Sequence, residues 1–115
     1  QEEIEKATGA KPVFLRMPNG YDRPWVSEAA ARRGYTTVNW THGADWHKIP
    51  EGEMTEGYLK NLKPGTIFLL HDGGGKVKEK DLRIVEKLLV AARAKGLKAV
   101  RLDELPGIKP VSGNR

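Results

Sequence analysis

Ile67 to Leu70 run apolar without interruption, between the turn signal Pro64-Gly65 and the polar, glycine-rich run His71-Asp72-Gly73-Gly74-Gly75. A half-exposed strand alternates apolar and polar residues, whereas a run like TIFLL is that of a strand buried on both faces. In a short chain the elements that bury both faces of a strand are helices, and the rest of the sequence supplies them. QEEIEKATG ends an amphipathic helix, with Ile4 and Ala7 on one face and Gly9 just past its end. KPVFLR is a short strand, PNGYDRP a loop, and Pro24 suits the first turn of a helix that runs through WVSEAAARR to Gly34. YTTVNW has the β-branched and aromatic content of a strand. THGADWHKIPEGE reads as a long irregular connection and EMTEGYLKNL as a short helix. Past the glycines, Leu82, Val85, Leu88, Leu89 and Ala92 mark one face of a helix ending at Gly96, and KAVRL reads as a last strand.

Strands alternating with helices pair in parallel through right-handed crossovers, so the fold class is α/β. With 115 residues, 38% of them hydrophobic, the chain is expected to be one domain, residues 1–115. It has no cysteine, which excludes a disulfide framework and thiolate metal sites. No apolar run approaches the length of a membrane span. The net charge of +5 is spread along the chain and comes with no recognised nucleic-acid-binding motif. It reads as a solvated surface suited to anionic partners, and no nucleic-acid partner is expected.

In parallel α/β folds, functional groups collect beyond the C-terminal ends of the strands. Three such ends are rich in them here: Arg16-Met17-Pro18-Asn19-Gly20, then Trp40-Thr41-His42-Gly43-Ala44-Asp45-Trp46-His47, then His71-Asp72-Gly73-Gly74-Gly75. A histidine titrates near neutral pH, and a neighbouring carboxylate keeps it protonated and available as an acid. Arg16, Asp45 and His71 are thus expected on one rim, with the Pro-Asn-Gly turn offering backbone N–H groups to an oxyanion. His42 and His47 stand five apart, which does not put them on one helical face, and no metal site is read from them with Asp45. Gly75-Lys76-Val77 lacks the Ser or Thr of a phosphate-binding loop. Trp46, between Asp45 and His47 in a polar loop, is the tryptophan best suited to face a sugar.

LRMPNG, ADW and FLLHDGGG stand in the order and approximate spacing of the later motifs of the polysaccharide deacetylases. The chain resembles the C-terminal part of that family's NodB homology domain (carbohydrate esterase family 4) over nearly its whole length. The resemblance implies an irregular (β/α) barrel and metal-dependent removal of acetyl groups from N-acetylglucosamine polymers, peptidoglycan or acetylxylan. By position, Arg16 resembles the arginine that orients the catalytic base, and Asn19 the residue whose backbone amide helps form the oxyanion hole. Asp45 is similar to the carboxylate that tunes the catalytic histidine, and His71 to that histidine, the general acid. Trp46 resembles the tryptophan of the substrate groove and Leu69 the residue that meets the acetyl methyl. His42 stands where the family has an aspartate, and Asn19 where it has an aromatic residue. The family's TFDD-like and HxxxH-like motifs, which supply the base and the metal ligands, have no counterpart in these residues.

The resemblance therefore implies zinc or a similar divalent metal in the complete domain, and none for this chain alone. It also implies an extracellular or cell-envelope setting and a polysaccharide or peptidoglycan substrate. The isolated chain is expected to be inactive and to associate with itself or with the preceding part of its domain, because an edge of its sheet and an apolar helix face lack cover. The competing expectation is a catalytically inactive carbohydrate-binding or interaction module.

Overall fold

The computed structural model describes residues 1–73 and 76–108, of which residues 76 and 77 by their backbone alone; Gly74 and Gly75 of the glycine run lie outside the described residues. The chain is α/β. Its elements are α1 (Glu2–Thr8), β1 (Phe14–Leu15), α2 (Pro24–Arg32), β2 (Thr36–Thr37), β3 (His42–Gly43), α3 (Glu51–Lys60), β4 (Phe68–Leu69) and α4 (Lys76–Ala94). Short 3₁₀ turns cover Pro18–Gly20 and Leu102–Glu104. Among the described residues no helix is long and apolar enough to cross a membrane.

The described residues form two compact units, one of residues 1–39 with the stretch from 102 onward, the other of residues 40–101. In the first, Gly9 stops α1 in the left-handed conformation (φ 70°), and its N–H returns to the Glu5 carbonyl at 2.8 Å. Pro24 opens α2, with Arg23 as the extended residue before it. Val26 and Ala30 are the buried residues of α2, which packs against β2. β1 and β2 pair in parallel, Phe14 opposite Thr36 and Leu15 opposite Thr37. The Thr36 and Val38 N–H groups extend the ladder to the Val13 and Leu15 carbonyls.

In the second unit β3 and β4 pair in parallel, His42 opposite Phe68 and Gly43 opposite Leu69. Thr41 reinforces the start of the pair: its N–H donates to the Ile67 carbonyl at 2.7 Å and its hydroxyl oxygen accepts the Ile67 N–H at 3.0 Å. The core beneath is Ala44, Met54, Tyr58, Leu62, Ile84 and Leu88, drawn from the end of β3, from α3 with the residues after it, and from α4. The Arg83 guanidinium grips Glu51 with two parallel hydrogen bonds of 2.7 and 2.8 Å, tying α4 to the first turn of α3.

Four expectations need correcting. Residues 41–53 are not wholly irregular, because β3 forms inside them through its pairing with β4. Residues 98–101 are exposed and form no strand among the described residues. Among the described residues the strands pair two by two, β1 with β2 and β3 with β4, and Leu69 is buried while Ile67, Phe68 and Leu70 are only half-buried. On α4 the buried face is also turned from the one read off the sequence. Asp81, Ile84 and Leu88 are buried, whereas Leu82 and Leu89 are more than half exposed. The cause is that Ile84 and Leu88 join the α3 core, and this register carries Asp81 inward one turn earlier.

A ladder two residues long is weak, and Tyr58 of α3 supplements it. Its hydroxyl is completely buried, accepts the Ala44 N–H at 2.9 Å and donates to the Leu69 carbonyl at 2.8 Å. Tyr58→Phe keeps the ring and strands both backbone groups in the core, a loss of about 1–3 kcal/mol. Equilibrium urea unfolding of the two proteins measures it, and an unchanged midpoint would contradict the bridging role.

Candidate active site

Gly43, Ala44 and Asp45 leave β3 while Leu70 and His71 leave β4, so the two chain ends emerge side by side. Tyr58 holds the residue before Asp45 and the residue two before His71. The Asp45 backbone is pinned a second time, by Lys80 Nζ donating to its carbonyl at 2.8 Å. The Asp45 side chain is fully buried and meets the His71 ring: Nδ1 lies 2.8 Å from Oδ1 and 2.9 Å from Oδ2. The His71 backbone N–H donates to the same carboxylate at 2.5 Å.

A carboxylate only accepts hydrogen bonds, so the His71 nitrogen facing it carries a proton. Nδ1 is thereby committed and Nε2 is the nitrogen left for chemistry. The ring is about half exposed, 53% by side-chain area, so this nitrogen belongs to the accessible side of the pair. Trp46 stands edge-on to the imidazole at 5.9 Å between ring centres and is itself half exposed, which makes it a wall beside the acid. Its indole is braced by Trp40 at 6.3 Å and His47 at 5.0 Å. It also packs over Gly43, where a Cβ would meet the indole at 3.0 Å and Leu69 Cβ at 2.9 Å. Glycine at this position is what lets Trp46 and β4 close on the strand end.

The structure thus brings Asp45, Trp46, Leu69 and His71 together within the second unit. Leu69 is buried, its carbonyl taken by Tyr58. Arg16 and Asn19 belong to the first unit, where both follow β1 and both are exposed. Asn19 adopts the left-handed conformation (φ 56°), which asparagine tolerates better than most residues, and Gly20 follows at φ 64°. His42 has a different part. Its ring points into the core edge-on to Tyr58 at 4.8 Å, and Nδ1 accepts from the Asn61 side-chain amide at 3.2 Å. Burial, then the nearby charge of His47, lowers its pKa below the ordinary value and keeps the ring neutral. Among the described residues no three His, Asp or Glu side chains converge as a metal-ligand set.

Sequence reasoning missed Asp81. Its side chain is buried beneath the pair, and its Oδ2 accepts at 3.3 Å the same His71 N–H that Asp45 Oδ2 accepts. Burial first, then the hydrogen bond and charge of Asp45, push the Asp81 carboxyl up to about 6. For Asp45 burial acts upward, but the hydrogen bonds from Asp81 and His71 outweigh it and leave this carboxyl below its ordinary value. One signal was present: Asp81 stands three before Ile84 and seven before Leu88, at the spacing of the core face. A lone carboxylate at that spacing is a buried acid in want of a partner.

The two carboxyls pull stability in opposite directions with pH. Asp45 contributes stability above its unfolded value, and this is lost as pH falls through its depressed folded value. Asp81 binds its proton more tightly folded than unfolded, so its contribution is present below about 4 and lost as pH rises through about 6. Asp81→Asn removes the second term. The variant is therefore expected to gain on the wild type between pH 4 and 7, by up to about 3 kcal/mol. Urea unfolding at the two pH values measures the gain, and a difference independent of pH would contradict it.

Comparison with characterised proteins was made against this geometry. The chain is 32% identical over 102 residues to a peptidoglycan-N-acetylglucosamine deacetylase of Bacillus cereus, covering 83% of this chain and 46% of that protein. A second Bacillus cereus protein of the same name is 24% identical over 106 residues, 91% of this chain and 38% of its own length. A peptidoglycan-N-acetylmuramic acid deacetylase of Bacillus subtilis is 35% identical over 75 residues, 61% of this chain and 28% of its own. The chain thus spans less than half the length of these relatives. No family model matches it, and no solved structure does. The motifs, their order and these relatives agree, and the chain belongs to the polysaccharide deacetylase family, of whose domain it represents a part.

Proposed function

We propose that this chain supplies the proton-donating half of a deacetylase that removes acetyl groups from the amino sugars of a cell-envelope polysaccharide, peptidoglycan first among them. The observation that carries the reading is the Asp45–His71 pair: a buried carboxylate holding Nδ1 of an imidazole whose other nitrogen is left for a substrate. The names of the relatives support the substrate class, since they act on peptidoglycan N-acetylglucosamine or N-acetylmuramic acid. An extracellular or cell-envelope setting follows from that substrate, and the complete domain is read as an irregular (β/α) barrel.

In the reaction, water adds to the acetyl carbon, the C–N bond breaks, and acetate and the free amine leave. The amine is a poor leaving group until it gains a proton. The His71 imidazolium delivers that proton from Nε2 and ends as neutral imidazole, its Nδ1 proton still on Asp45. Asp45 stabilises the charged form before transfer and holds the ring in one tautomer throughout. Trp46 forms the wall along which the sugar lies, its face suited to a pyranose ring. The family resemblance assigns Leu69 to the acetyl methyl, Arg16 to orienting the base and the Asn19 backbone N–H to the oxyanion that develops on the acetyl oxygen.

The family resemblance implies a divalent metal, whose chemistry is to acidify the attacking water and polarise the acetyl oxygen. The described residues of this chain do not fit one, because they offer no converging ligand set. The metal ligands and the base are assigned to the preceding part of the domain.

The test is an assay of the complete domain on an N-acetylglucosamine oligomer. His71→Ala is expected to lower kcat by about 10²–10⁴-fold, the usual contribution of a positioned acid. Undiminished activity would remove His71 from the mechanism. Saccharide binding without turnover by the wild-type domain would replace the enzyme with a binding module.

A further inference from the structure

Among the described residues Asp81 is the one buried acid for which the proposed reaction has no use. It is 5% exposed, lies beneath both partners of the pair, and its Oδ1 has no hydrogen-bond partner. The groups around it come from every element packed there. Asp45 comes from the end of β3, the N–H of His71 from the end of β4, Tyr58 from α3, and Lys80 from its own helix. Two buried carboxyls that meet at one N–H cannot both be ionised cheaply, so one of them keeps a proton and shares it with the other.

We propose that Asp81 is a positioning residue for His71, sharing one proton with Asp45 and thereby fixing the Asp45 oxygens that hold the imidazole. The inference rests on the reading of His71 as the acid. The shared proton leaves Asp45 as the charged member, facing His71 Nδ1 with both oxygens. The backbone N–H of His71 lies between the two carboxyls, 2.5 Å from Asp45 Oδ2 and 3.3 Å from Asp81 Oδ2, so it aligns one against the other. The Lys80 ammonium is engaged by the Asp45 carbonyl and fixes the backbone of the pair. The proton is held only up to about pH 6, the value to which Asp81 is pushed by burial and by Asp45. Above it the shared proton is lost and Asp81 faces Asp45 as a second carboxylate.

The experiment has two readouts. Carboxyl ¹³C titration of the wild-type chain by NMR is expected to give Asp81 a midpoint near 6, and Asp45→Asn to lower that midpoint by about one unit or more. A wild-type midpoint near 4, or one that Asp45→Asn leaves in place, would overturn the shared proton. In the complete domain, Asp81→Asn keeps an N–H donor for Asp45 but removes the ionisable group. The step in the kcat profile near pH 6 that comes from loss of the shared proton is expected to be absent from this variant, with plateau kcat and KM held within about threefold. Asp81→Leu loses the donor too and is expected to lower plateau kcat at least about tenfold, a loss that Asp81→Asn does not show. An Asp81→Asn profile that keeps the step near pH 6, or equal kcat losses in the two variants, would overturn the positioning role. If instead His71→Ala leaves activity intact while the titration behaves as expected, the acid assignment fails and the shared proton stands.

Discussion

A single hydroxyl carries much of the second unit. The ladder between β3 and β4 is two residues long, and so short a pairing does not hold itself together in water. Tyr58 completes it from below, accepting from Ala44 and donating to Leu69, with its ring sealed among Met54, Leu62 and Ile84. Both bonds form in a dry core, where neither backbone group has water as an alternative. The strand ends are therefore fixed relative to each other at the point where the chain stops being strand. Asp45 is the next residue after Ala44, and His71 is the second after Leu69.

The chemistry that sits there depends on the same burial. A carboxylate taken from water is costly unless it is paired, and Asp45 is paired by the imidazole, by a backbone N–H and by Asp81. Each bond that stabilises the buried charge also orients the ring. The uncharged half of the cost falls on Asp81, which keeps its proton at mildly acidic pH. Trp46 adds shape instead of charge, and it reaches the imidazole only because Gly43 has no Cβ to hold it away.

What could be read from the sequence was whatever local chemistry decides. Gly9 and Gly96 end their helices because the left-handed conformation there suits glycine, and Pro24 opens α2 because its fixed φ and missing N–H fit a first turn. The pairing of a carboxylate with His71 was legible too, since ADW and HDG both follow runs that read as strand ends. β3 was not, because His42-Gly43 has no strand propensity and becomes a strand only through its partner 26 residues later. KAVRL failed in the reverse sense: it has the composition of a strand but no ladder among the described residues. Asp81 was hidden among the alternating Lys and Glu of α4, where a charge reads as solvated face. Only the register imposed by Ile84 and Leu88 turns it inward.

The central claim is that His71 acts by giving a proton to the departing amine. The measurement that meets it most directly compares His71→Ala with wild type in the complete domain on two acetylated substrates, an N-acetyl amino sugar and an aryl acetate. Phenolate departs without a proton, whereas an amine does not. The account predicts a loss of at least about 10²-fold on the amide and less than about tenfold on the ester. Equal losses on both substrates would contradict it, placing His71 in a step that comes before the leaving group departs.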